Sequence, residues 1–137
     1  MKIHIVNKEE DHIKGYEKVE ITEQGLNLDK YSDNECSFIL ASDCLDLLPY
    51  ANMQNNIVAI RKKMRVGSTL VIGGTDIRLF ARAIISGLIN PSDANTMFCN
   101  KKSLSDVNSI SDILSGLGLT IVTTKISGIH YEIEASR

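Results

Sequence analysis

Two runs along this chain are apolar almost without a break, and each ends in small and acidic residues. SFILA (37–41) runs into Ser42 and Asp43, and STLVIGG (68–74) runs into Thr75 and Asp76. Continuous apolar runs of this length describe strands buried on both faces, as in a parallel sheet. Between them Met53, Ile57, Ile60 and Met64 recur at steps of four, three and four, the buried stripe of a helix over 51–65. Gly67 is the expected left-handed stop. Strand, helix and strand form a right-handed β-α-β unit whose two strand ends open on one edge of the sheet. Ligands of open α/β sheets bind at that edge, so Ser42, Asp43, Thr75 and Asp76 are the first candidates for a site. The simpler reading of Thr75 and Asp76 is as caps of the next helix. Gly73 and Gly74 either admit a ligand close to the backbone or let the strand leave the sheet.

The flanking segments follow the same logic. MKIHIVN is a strand burying Ile3, Ile5 and Val6, NKEEDHIKGY is a polar connector turning at Gly15, and EKVEIT is a second short strand. A loop over 23–35 is pinned by Leu26, Leu28 and Tyr31. Downstream, a helix over 77–89 buries Phe80, Ala81, Ile84 and Leu88, residues 90–103 form a loop, and a helix over 106–116 turns Ile110, Ile113 and Leu114 inward. GLTIVTTKI and GIHYEIEAS alternate apolar and polar residues and make an antiparallel hairpin at Ser127-Gly128. The order β-β-β-α-β-α-α-β-β predicts an α/β sheet, mostly parallel with one antiparallel strand, in a single domain over 1–137.

Composition narrows the chemistry. A chain of 137 residues, 43% hydrophobic and 23% charged, has the size and balance to build a core without staples. The net charge of −2 gives no general attraction to nucleic acid or anionic membrane. Arg61, Lys62, Lys63 and Arg65 are clustered but carry no interleaved aromatics, so they read as a solvated helix end and nucleic acid is not an expected partner. Cys36, Cys44 and Cys99 form no CxxC pair, which speaks for free thiols and against zinc, another metal or a disulfide framework. The longest apolar stretch, LFARAIISGLI, contains Arg82 and is too short to span a bilayer, and MKIHIVN lacks the form of a secretory signal. The expectation is a soluble, cytoplasmic chain. His4 and His130 lie within strands as structural residues, and His12 is a loop residue without a sequence neighbour to pair with. No Ser-His-Asp or Cys-His arrangement and no GxxxxGK[ST] loop is present.

Taken in order, CSFILASDCLDLLP, the 51–65 helix, GSTLVIGGTD, SDILSGLGLTIV and the final IHYEIEASR resemble the second half of class I S-adenosylmethionine-dependent methyltransferases. The resemblance covers about 28–137. It implies a Rossmann-like methyltransferase-type sheet with a C-terminal antiparallel hairpin, and S-adenosylmethionine as cofactor. It also implies that Glu20 holds the ribose hydroxyls, that Ser42 and Asp43 meet cofactor and substrate, and that Asp43 or Asp46 accepts the proton in an in-line methyl transfer. The N-terminal half departs from the family. No glycine precedes Gly15 after the first strand, Glu9, Glu10 and Asp11 crowd that position, and the span from Thr22 to Asp29 is too short for the family's third strand and helix. Weak or absent cofactor binding is therefore expected. Two readings follow: a methyltransferase with a shortened cofactor half, or a non-catalytic module of that fold forming a homo-oligomer or part of a larger particle. Missing elements beside EKVEIT would leave Val19 and Ile21 wet, so the edge along 17–31 is the expected contact with another copy or a protein partner.

Overall fold

The computed structural model describes residues 1–137. Six strands form one sheet: β1 (Lys2–Asn7), β2 (Glu17–Ile21), β3 (Cys36–Ala41), β4 (Met64–Thr75), β5 (Thr120–Ser127) and β6 (His130–Ser136). Four helices accompany them: α1 (Met53–Lys63), α2 (Ile77–Ile85), α3 (Pro91–Cys99) and α4 (Val107–Gly116). The strand order is β2-β1-β3-β4-β6-β5. All neighbours run parallel except β6, which is antiparallel to both β4 and β5. The strand ending at Ser42 is thus central, between β1 and β4, as its uninterrupted apolar run predicts.

Strand parity divides the sheet into two unlike faces. Ile3, Ile39, Leu70 and Ile133 point to one side, where Ile57 and Ile60 of α1 and Ile110 and Leu114 of α4 complete the main core. A second, smaller core of Phe80, Ala83, Ala94 and Ile129 joins α2, α3 and the β5–β6 turn. Val6 and Val71, of opposite parity, are buried but belong to neither core. No helix layer stands on their side of the sheet.

Several expectations are corrected. The segment over 90–103 is not all loop, because Pro91–Cys99 is helix. Asn90 caps it by accepting from the Asp93 amide at 2.8 Å, and Pro91 pre-sets its first turn. The helix expected over 77–89 ends at Ile85, a left-handed Gly87 turns the chain, and Leu88 is 84% exposed rather than inward. Gly67 does not stop α1, since Met64 is already extended. Its positive φ lies in an excursion of β4 between the Cys36–Met64 and Phe38–Thr69 pairs. The apolar side of the β2 edge is dry: Val19 and Ile21 are covered by Leu28 and Tyr31 of the following segment, and Lys30 ties that segment to Glu17 at 2.6 Å. The basic run is partly tied down as well, with Arg61 donating to the Leu117 carbonyl and Lys63 bound to Asp33 and the Tyr31 carbonyl. No helix is long and apolar enough to cross a membrane.

Candidate functional site

The chain leaves β1 toward β2 on one side and returns as β3 on the other, so the strand order reverses beside β1. Open sheets bind ligands at such a switch point, outside the carboxyl ends of the strands. A polar cavity of about 260 Å³ lies there, lined by His4, Glu10, Ser42, Asp43, Asp46, Lys101 and His130 among others.

Its floor is built by a buried carboxylate. After β3 the chain makes a 3-10 turn at Cys44–Leu47, which carries Asp46 under the end of β4. One Asp46 oxygen accepts the Thr75 amide at 2.8 Å and the other the Thr75 hydroxyl at 2.7 Å. Lys101 Nζ stands 3.4 Å from the second oxygen. Burying a carboxylate requires this kind of complete partnering. Gly74 of β4 makes room for this carboxylate, and Gly73 for the neighbouring backbone carbonyls, rather than for a ligand. A Cβ on Gly74 would lie 2.9 Å from Asp46 Oδ1, and one on Gly73 would lie 2.1 Å from the Tyr131 carbonyl.

Two imidazoles face the cavity with opposite hydrogen-bonding characters. His4 Nδ1 accepts the Ile13 amide at 3.2 Å, so in the neutral ring Nε2 carries the proton. Burial chiefly, with help from the nearby His12, holds the His4 pKa below its ordinary value. His130 Nδ1 lies 3.4 Å from the Thr75 hydroxyl. That hydroxyl's single proton is given to Asp46, so the contact suits a His130 that donates through Nδ1 and keeps Nε2 as an acceptor. Asp43 is exposed at the mouth and Ser42 is half-buried behind it. Cys44 is buried, and burial pushes its thiol up to about 12, away from the thiolate form that nucleophilic chemistry uses.

Ser42, Asp43 and Asp46 therefore meet in one cavity, but Glu20 does not join them. It is exposed on the sheet face without helices, paired with Lys18 at 3.0 Å. Asp76 caps two helices at once, one oxygen accepting from Arg78 and Leu79 of α2 and the other from Val107 of α4. Thr75 is not a cap, since its hydroxyl belongs to Asp46. The sequence reading missed His4, His130 and Lys101 as cavity residues. Nothing local marks the histidines, and Lys101 follows a helix that was expected to be loop. No group of three or more His, Cys, Asp and Glu side chains is placed to hold a metal ion.

No protein-family model and no curated protein matches the chain. Solved structures do. The chain is similar to a SAM-dependent methyltransferase from Archaeoglobus fulgidus, with a TM-score of 0.60 and 14% identity, over 90% of this chain and 77% of that one. It is also similar to the CurJ carbon methyltransferase, with a TM-score of 0.56 and 14% identity, over 89% of this chain and 35% of that one. At this identity the likeness establishes the fold. The chain has the α/β fold of SAM-dependent methyltransferases, with six strands in a mostly parallel sheet closed by C-terminal antiparallel strands.

Proposed function

We propose that this chain is a non-catalytic binding module built on the methyltransferase fold, whose cavity takes a small polar ligand rather than S-adenosylmethionine. The observation that carries this reading is the connector between β1 and β2. Residues 8–16 join the strands without a helix, and no residue from 7 to 11 has the positive φ that a glycine turn supplies. Glu10 lines the cavity at that point, where a carboxylate-bearing cofactor end would meet like charge. Glu20, the residue expected to hold ribose, does not line the cavity and is paired with Lys18 instead. The cavity of about 260 Å³ is also smaller than the roughly 300–1,000 Å³ usual for drug-sized ligands. These residues do not fit S-adenosylmethionine.

One arrangement favours the enzyme as the second reading. Asp43 and the acceptor nitrogen of His130 share the cavity, and either would serve as proton acceptor, with Asp46 positioning His130 through Thr75. A thermal assay separates the two. A ligand at about a hundred times its Kd stabilises by roughly 2.7 kcal/mol. With an unfolding entropy of about 2.1 cal/mol/K per residue, that raises Tm by roughly 9 °C for a chain of this length. The expected shift with millimolar S-adenosylmethionine is under about 1 °C. A shift of several degrees that Asp43→Ala abolishes would make methyl transfer the better account.

A further inference from the structure

The sheet face opposite α1 and α4 is patterned, and its pattern is self-complementary. Strand register aligns Lys18, His4, Leu40, Val71, Glu134 and Thr123 in one row from β2 to β5. Two residues nearer the carboxyl edge, a second row starts at Glu20 and Val6 and finishes at Gly73, Glu132 and Lys125. The centre is apolar, one flank carries Lys18 and Glu20, and the other carries Glu134 in the first row and Glu132 and Lys125 in the second. The relief is uneven too. Tyr16 stands edge-on over Phe38, with ring centroids 5.8 Å apart, and over His4, so it covers the β1–β3 half. At the carboxyl edge a hollow of about 200 Å³ lies between Ser42, at the end of β3, and Lys125 and Glu132 of the hairpin.

We infer that this face packs against the same face of a second copy of the chain, about a two-fold axis parallel to the strands and between β3 and β4. That operation sets β2 over β5, β1 over β6 and β3 over β4 of the other copy. Glu20 then faces Lys125 of the second copy, His4 faces Glu134 with Lys18 beside it over Thr123, Leu40 meets Val71, and Val6 lies against the stem of Glu132. Each contact occurs twice, as an isologous interface requires. Aligned sheets pack about 10 Å apart in this manner in sandwiches. Six strands spaced about 4.8 Å, each about six residues long at about 3.3 Å, give a face near 500 Å². Two copies bury about 1,000 Å², the least that a specific interface needs. The expected contact along 17–31 is thereby moved from the edge of β2 to the face it shares with five other strands.

Sedimentation velocity on the full chain at about 0.1 mM, a hundredfold above a micromolar Kd, tests this. Wild type should sediment as a dimer. Glu20→Lys and Lys125→Glu each reverse an exposed charge that the fold does not need, and each should weaken the dimer at least about tenfold. The double variant Glu20→Lys/Lys125→Glu should restore it. A wild-type monomer overturns the inference, as does a dimer that neither reversal weakens or that the double variant fails to restore. A dimer unaffected by both reversals but lost in Val122→Pro places the contact on the β5 edge and also overturns it.

Discussion

His4 is half-buried, its Nδ1 occupied by the Ile13 amide, and its pKa is held down chiefly by burial. The unfolded imidazole titrates near 6.5 and the folded one lower, so between those values the unfolded chain binds the extra proton. The His4 contribution is present in full above about pH 6.5 and is lost as pH falls through the folded value. Urea unfolding from pH 7.5 down to pH 5 should show stability falling in this window, with a shallower slope in His4→Gln. An unchanged slope in that variant would assign the effect elsewhere. Other residues show how far sequence reaches at this scale. Asp46 is visible as an acid in a short turn, but its partner Thr75 lies 29 positions away and nothing local announces the pair. The same holds for Gly74, whose missing side chain is explained only by the carboxylate lying against it.

Helices and strands differ in how plainly the sequence declares them. The apolar runs of β3 and β4 and the stripe of α1 follow from burial alone, and the structure contains all three. Helix α3 was harder to see because it presents little apolar stripe: Ala94 is buried while Phe98 is 55% exposed. Its signal is the cap, Asn90-Pro91 with Asp93 in the first turn, rather than the periodicity. The cover over Val19 and Ile21 comes from Leu28 and Tyr31 folding back, a tertiary event without a local pattern. Among the caps, Asp76 carries the largest consequence, because α2 and α4 both begin on its carboxylate. Loss of a single cap typically costs about 1 kcal/mol, and hydrogen bonds to a charged group about 1.5–3 kcal/mol. Asp76→Ala should therefore destabilise by roughly 2–4 kcal/mol in equilibrium denaturation, against about 1 kcal/mol for Asn90→Ala. Equal losses for the two variants would show that Asp76 serves one helix only.

At the scale of the molecule, the order of elements was enough to predict a mostly parallel sheet with one antiparallel strand and a central β3, since parallel neighbours need crossovers and crossovers have one hand, but not that β6 lies between β4 and β5. The emptiness of one face is also traceable to sequence. Connectors 8–16 and 22–35 are too short and too polar to supply the helices that would cover it. What the sequence could not disclose is where separate crossovers place His4, Asp46, Lys101 and His130 relative to one another. The division into two unequal cores has a further consequence, for motion. The main core has 24 buried residues and the one holding α2 and α3 has four. Opening the smaller one exposes little apolar surface, so it lies far below the free energy of global unfolding. Native-state hydrogen exchange should find the amides of α2 and α3 exchanging through a low-energy opening, insensitive to denaturant slope, while those of β1, β3 and β4 exchange only with the whole. Uniform protection across all four segments would mean that the domain opens as one unit. With non-uniform protection, the Lys101 end of the cavity is carried by the segment that opens, and the His4 end by the part that holds firm.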